Sequence, residues 1–99
     1  MKHLFISHCQ VTQVYGDAKP EERTNYFAKM KESAKEYGIN LVFWGVPWGV
    51  LESLTIVLES EKSLDNYFSW RRAWGQRQAQ LGLKPYMSAS NTVTVTAME

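Results

Sequence analysis

Two histidines, one cysteine and ten carboxylates are the side chains of this 99-residue chain that could transfer protons, attack a substrate or hold a metal. His3 and His8 differ by five positions, which in an extended strand sends them to opposite faces, so they cannot share one ion. His8 and Cys9 are adjacent and diverge in the same way. There is no CxxC, HExxH or His-x-His pattern, and metal sites need three or four convergent ligands, so no metal is expected. A haem would need only one axial histidine, but no motif asks for that or any other cofactor. Cys9 lacks a cationic motif that would favour its thiolate and reads as an inert, buried thiol.

Glu59 closes the alternating run Leu54-Thr55-Ile56-Val57-Leu58-Glu59. If Leu54, Ile56 and Leu58 meet the core, Glu59 shares the opposite face with Thr55 and Val57, where desolvation would suit it to act as a general base or acceptor. The plainer alternative is a rim carboxylate in water, as Glu52 is expected to be. Arg71 interrupts an apolar helical stripe of Leu64, Tyr67, Phe68 and Trp74, with Gln78 further along. Its guanidinium could bind a carboxylate of a ligand or of Glu59, or its stem could cover apolar surface with the head in solvent. Trp44 and Trp48 flank a Gly-Pro turn at a strand end, where core room is scarce, and so are candidates for a pocket or interface. Tyr15, in a polar connection, is a candidate lid.

The elements that must position these residues follow in the order βαββαβ. A strand runs from about His3 to Val11, with apolar groups on both faces. The polar connection Thr12 to Lys19 leads to a helix opened by Pro20, Glu21 and Glu22 and stopped by Gly38, with Tyr26, Phe27, Met30, Ala34 and Tyr37 in one arc. Ile39 to Trp44 and about Val50 to Ser60 read as a hairpin about Val46-Pro47-Trp48-Gly49, with a turn that could slip toward Glu52. Ser63 caps a second helix, Leu64 to about Leu81, ended by Gly82; its expected apolar arc also holds Trp70, Ala79 and Leu81. Leu83 to Asn91 reads as an irregular arm, and Thr92 to Ala97 as a strand with Val93 and Val95 buried. Right-handed crossovers fold this order into a four-stranded antiparallel sheet with both helices on one face, an α+β ferredoxin-like domain over residues 1–99.

The opposite sheet face is left bare. It is expected to carry Thr55, Val57, Thr92, Thr94 and Met98, with either Phe5 and Cys9 or Ile6 and His8 from the first strand. His8 is placed there because an imidazole under the helices would need a partner that their arcs do not offer, whereas a pocket can hydrate it. Parity turns Glu59 to the same face, close enough for one ligand to touch both. So apolar a face, with thirteen aromatic residues for a thin core, points to a homodimer and to aromatics lining a pocket or interface.

Gly38 to Trp70, with an aromatic-glycine end to the second strand followed by SLTIVLESEKSLDNYF, resembles the dimeric α+β barrel superfamily. Its members include small antibiotic-biosynthesis-type monooxygenases, muconolactone isomerases, stress-responsive barrel proteins and GYD-type domains. Their third strand commonly ends in a carboxylate before a capped helix, as Glu59 and Ser63 do here. The resemblance implies two sheets paired by their bare faces around an interior that holds small, usually hydrophobic ligands; no catalytic motif of the better-known enzymes transfers residue by residue.

These readings converge on a small-molecule-binding protein or cofactor-independent enzyme, with His8 and Glu59 as catalytic candidates and Trp44, Trp48, Tyr15 and Arg71 as ligand-binding ones. An apolar or aromatic ligand is expected. The alternative is a non-enzymatic stress or interaction protein whose barrel is filled by its own aromatics. A net charge of +1 gives no field to recruit nucleic acid or anionic membrane, and the third strand lacks the aromatics an RNA-reading sheet needs. The longest apolar run, Ile39 to Leu51, is broken by Asn40, two Gly and Pro47, and His3, Ser7, His8 and Gln10 break up the amino-terminal stretch as a signal peptide. With one cysteine, the expected location is cytoplasmic.

Overall fold

The computed structural model describes residues 1–98. Strand β1 (His3–Val11) is followed by a short helix α1 (Gln13–Asp17), the long helix α2 (Pro20–Lys35), strands β2 (Ile39–Gly45) and β3 (Leu54–Ser60), helix α3 (Leu64–Gln80) and strand β4 (Met87–Thr96). The strands form one antiparallel sheet in the order β2-β3-β1-β4, so the fold is the expected α+β ferredoxin-like arrangement.

Period-two alternation divides the central strands cleanly. His3, Phe5, Ser7 and Cys9 of β1 and Leu54, Ile56 and Leu58 of β3 are buried against the helices. They meet Tyr26, Phe27, Met30 and Ala34 of α2 and Tyr67, Trp70 and Trp74 of α3. Phe5 stacks flat on Tyr67 at 3.9 Å, and the Trp70 indole donates to Ser33 Oγ at 3.2 Å, which satisfies a polar atom at the helix–helix contact. The α3 arc is narrower than its sequence suggests. Leu64, Phe68 and Leu81 are 41%, 51% and 42% exposed, because only the 67/70/74 spacing points at the sheet.

Four further expectations are corrected. The polar connection after β1 contains α1, nucleated when Thr12 Oγ1 accepts from the Tyr15 amide and fixed by Arg23 donating to the carbonyls of Tyr15 and Gly16. The third strand starts at Leu54 instead of Val50, leaving residues 46–53 as a loop. The supposed arm is largely strand: β4 begins at Met87, because β1 extends to Val11 and offers Met87 to Asn91 backbone partners despite their polar side chains. Finally, Val93 and Val95 pair with Ile6 and Leu4, which puts them on the bare face, each 49% exposed. Thr92 and Thr94 stand on the helix side instead of the bare one. Hydrogen bonds of Ser7 Oγ with Thr92 Oγ1 at 2.7 Å and of His3 Nδ1 with Thr96 Oγ1 at 2.8 Å hold that parity.

Two glycines give opposite expectations. Gly38 ends α2 with φ of 73°, and a Cβ there would lie 2.8 Å from Lys62 Cγ. Gly38→Ala is expected to cost about 1–2 kcal/mol and several degrees of melting temperature. Gly75 sits within α3, where a Cβ would meet nothing within 4 Å, so Gly75→Ala is expected to gain up to about 1 kcal/mol. Differential scanning calorimetry of the two variants checks both signs.

Candidate functional site

A cavity of about 290 Å³ opens between α3 and the sheet, on the helix side and not on the bare face where the sequence reading set the pocket. Large rings of Tyr26, Tyr67, Trp70 and Trp74 form its helix-side walls, while the sheet side combines Ile56 and Leu58 of β3 and Met87 of β4 with small residues, Ser7 and Cys9 of β1 and Ser88, Ala89 and Ser90 of β4, and Gly75 of α3 adds a further gap. Where the helix-borne rings stand opposite the small residues of β1 and β4, space is left between them. Packing density elsewhere forbids such a gap.

The polar groups of this cavity are mostly paired with one another. Tyr26 OH donates to Gln78 Oε1 at 3.1 Å, and Ser7 Oγ lies 3.4 Å from Tyr67 OH. Burial pushes the Cys9 thiol up to about 11 and the Tyr26 phenol up to about 12, so both are protonated at neutral pH. They are hydrogen-bond donors there, not bases. Arg71, at the rim, donates from Nη2 to Ser90 Oγ at 2.9 Å and from Nη1 to Thr92 Oγ1 at 3.4 Å, with its guanidinium carbon 5.9 Å from the centre of the Tyr67 ring.

The other residues singled out in the sequence do not gather here. His8 and Glu59 both lie on the bare face, but His8 is level with Thr55 and Glu59 with Leu4. Four positions along a strand separate them by about 13 Å, too far for one small ligand to touch both. His8 Nδ1 is 2.8 Å from Thr55 Oγ1, and Glu59 is ion-paired with Lys2 at 3.0 Å. Glu59 borders a second cleft of about 320 Å³ with Lys2, Asn40, Glu61 and Lys62, a polar hollow at the far end of the sheet. The acid–base pairing of His8 with Glu59 therefore has no geometric basis in this chain.

Trp44 is also on the helix side, stacked on Phe27 at 4.8 Å. The cause is a register shift between Leu41 and Phe43, which turns Leu41 and Trp44 to one face and leaves Phe43, 66% exposed, on the other. Trp48 projects from the 46–53 loop and is 92% exposed. Tyr15 is no lid: its ring packs edge-on to Tyr86 at 5.4 Å beneath the Arg23 guanidinium, 4.4 Å from the ring centre. Of the six candidates, Arg71 alone lines the aromatic cavity. Sequence patterning places Tyr67, Trp70 and Trp74 in a packing arc, Ser7 in a strand and Ser90 in an irregular arm, and so does not single them out. The signal that could have found them is the coincidence of a mid-helix glycine with the small run Ser88-Ala89-Ser90. Among the described residues no three His, Cys, Asp or Glu converge as a metal site, and no helix is long and apolar enough to cross a membrane.

No protein-family model and no curated protein matches the sequence. The fold is shared with solved structures. SnoaB, a cofactor-independent oxygenase from Streptomyces nogalater, superimposes with a TM-score of 0.61 at 14% identity, over 99% of this chain and 94% of its own. A NIPSNAP domain protein from Burkholderia xenovorans gives 0.60 at 14% identity, over 98% and 94%. A dimeric ferredoxin-like protein from Thermobifida fusca gives 0.59 at 12% identity, over 98% and 92%. At these identities the likeness establishes the ferredoxin-like fold and nothing beyond it.

Proposed function

We propose that the protein is a homodimeric small-molecule-binding protein that takes up a compact aromatic ligand in the cavity beneath α3. The observation that carries this reading is the cavity itself: four aromatic rings face small and aliphatic residues of the sheet across about 290 Å³, near the lower end of the volume range of ligand pockets. Tyr26, Gln78, Ser7 and Tyr67 supply a few convergent polar atoms among apolar walls, which is the composition such pockets have. The alternative of an interior filled by the protein's own aromatics has less support, since their rings line the space without closing it.

Enzymatic activity is the second reading, and the likeness to SnoaB, a cofactor-independent oxygenase, favours it. Against it stands the chemistry of the wall. Cys9 and Tyr26 are protonated, and no His, Asp or Glu lines the cavity among the described residues. Any reaction there would have to begin from a substrate that loses its own proton readily, with the cavity contributing desolvation and hydrogen-bond donors.

Tryptophan fluorescence tests uptake directly, because Trp70 and Trp74 line the cavity while Trp44 and Trp48 do not. In a Trp44→Phe, Trp48→Phe background, 2-naphthol is expected to change the remaining emission saturably at micromolar to low-millimolar concentration. A linear, collisional response over that range would count decisively against the reading.

A further inference from the structure

We propose that this cavity selects planar aromatic molecules that carry an anionic group, with Arg71 as the side chain that recognises the anion at the rim. The inference deepens the uptake reading above and rests on it. Arg71 is the one charged side chain among the described residues lining the cavity. It makes none of the salt bridges found among the described residues, which pair Lys2 with Glu59, Lys29 with Glu32, Arg77 with Glu36 and Lys84 with Glu22. Its observed acceptors are the neutral hydroxyls of Ser90 and Thr92. A guanidinium has five N–H donors in a planar fork, so most of them remain available for a carboxylate or comparable anion.

The surroundings suit an anion at that position. The two ionisable groups deeper in the wall, Cys9 and Tyr26, are held neutral by burial and do not oppose a negative ligand. Trp70 and Trp74 lie nearly parallel, 18° between ring planes at 6.3 Å, and with Tyr67 and Tyr26 they offer apolar faces to a flat molecule. The Tyr67 ring beneath Arg71 and the hydroxyls of Ser90 and Thr92 hold the guanidinium over the opening. The volume suits one or two fused rings. A ligand seated with its rings between α3 and the sheet and its anionic group outward would meet the guanidinium at the rim.

The test compares 2-naphthoate with its neutral isostere 2-naphthamide, at pH 7 and low salt, by the emission of Trp70 and Trp74 in the Trp44→Phe, Trp48→Phe background. The carboxylate is expected to bind at least about tenfold more tightly than the amide, in line with a charge-assisted hydrogen bond in a partly desolvated site. Arg71→Gln is expected to bring that ratio close to one, and Arg71→Lys to keep part of it because the charge stays while the fork is lost. Equal affinities in the Arg71 protein, or a preference that survives Arg71→Gln, would overturn anion recognition and leave uptake standing. Failure of both probes to bind would overturn the uptake reading and this proposal with it. The naphthoate-to-naphthamide ratio on the Arg71 protein decides the matter even if the Gln variant folds poorly.

Discussion

Trp74→Ala is expected to lower stability by about 3–5 kcal/mol, which for a domain of this size is a loss of more than about 12 °C in melting temperature. Trp74 is 6% exposed and touches two other rings, Trp70 in a near-parallel stack and Tyr26 edge-on at 5.7 Å. Its removal deletes one of the two indoles of the α3 face and joins the vacated volume to a cavity that already exists, so neighbours have little reason to collapse into it. Lys29→Ala is the matched control. Lys29 is half-buried by its stem and its ammonium pairs with Glu32 at only 3.8 Å across one helical turn, so the change is expected to stay within about 0.5 kcal/mol. Equal thermal shifts in the two variants would mean that α3 does not present this face to the sheet.

The direction of that effect also follows from the hydrophobic spacing of α3, which indicates the features a sequence of this kind makes legible. Leu54, Ile56 and Leu58 repeat at period two, and Tyr26, Phe27, Met30 and Ala34 at the helical period, so both core faces follow from hydrophobic spacing. Where both faces of a strand are similarly apolar, spacing alone does not decide. For β1, the cost of burying an imidazole singled out Ile6 and His8 for the bare face, and they lie there. For β4 alternation points the valines to the core, whereas the strand is an edge strand and hydrogen bonds of its threonine hydroxyls with Ser7 and His3 turn the threonines toward the helices. Side-chain hydrogen bonds between residues some 90 positions apart leave no local trace.

The site was less legible than the fold because a cavity is a difference between volumes contributed by separate elements. Nothing in β4 alone marks Ser88, Ala89 and Ser90 as the wall of a pocket, and nothing in α3 alone separates Trp70 in a packed core from Trp70 beside a gap. The bulge in β2 is a second source of error, since one inserted residue reverses the side of everything beyond it, and that moved Trp44 from the bare face to the Phe27 stack. Arg71 was recognisable because a charge within an apolar helical stripe breaks a pattern, and such a break is visible without the fold.

Ile6→Glu is expected to convert a dimer into a monomer. Ile6 lies in β1, beside Val57 of β3 on one flank and Val93 of β4 on the other, near the middle of the bare face. Leu4, Phe43 and Val95 extend the same apolar surface, and among the described residues no helix or strand packs over it. A stable contact of this kind buries ~800 Å² per partner, which needs most of such a face. If two copies meet by these faces about a two-fold axis, the substitution buries two carboxylates near each other in the centre of the contact, which costs several kcal/mol through desolvation and repulsion. The same carboxylate on a lone chain stands in water, and the helix-side core of Phe5, Ser7 and Cys9 is untouched, so the variant is expected to remain folded by circular dichroism. Light scattering at micromolar concentration checks the outcome: twice the chain mass for the unsubstituted protein and a single chain mass for the variant. A variant that stays dimeric would move the contact off the bare face, with the exposed Trp48 and Leu51 of the 46–53 loop as the next surface to substitute. An unsubstituted protein of single chain mass would remove the homodimer altogether.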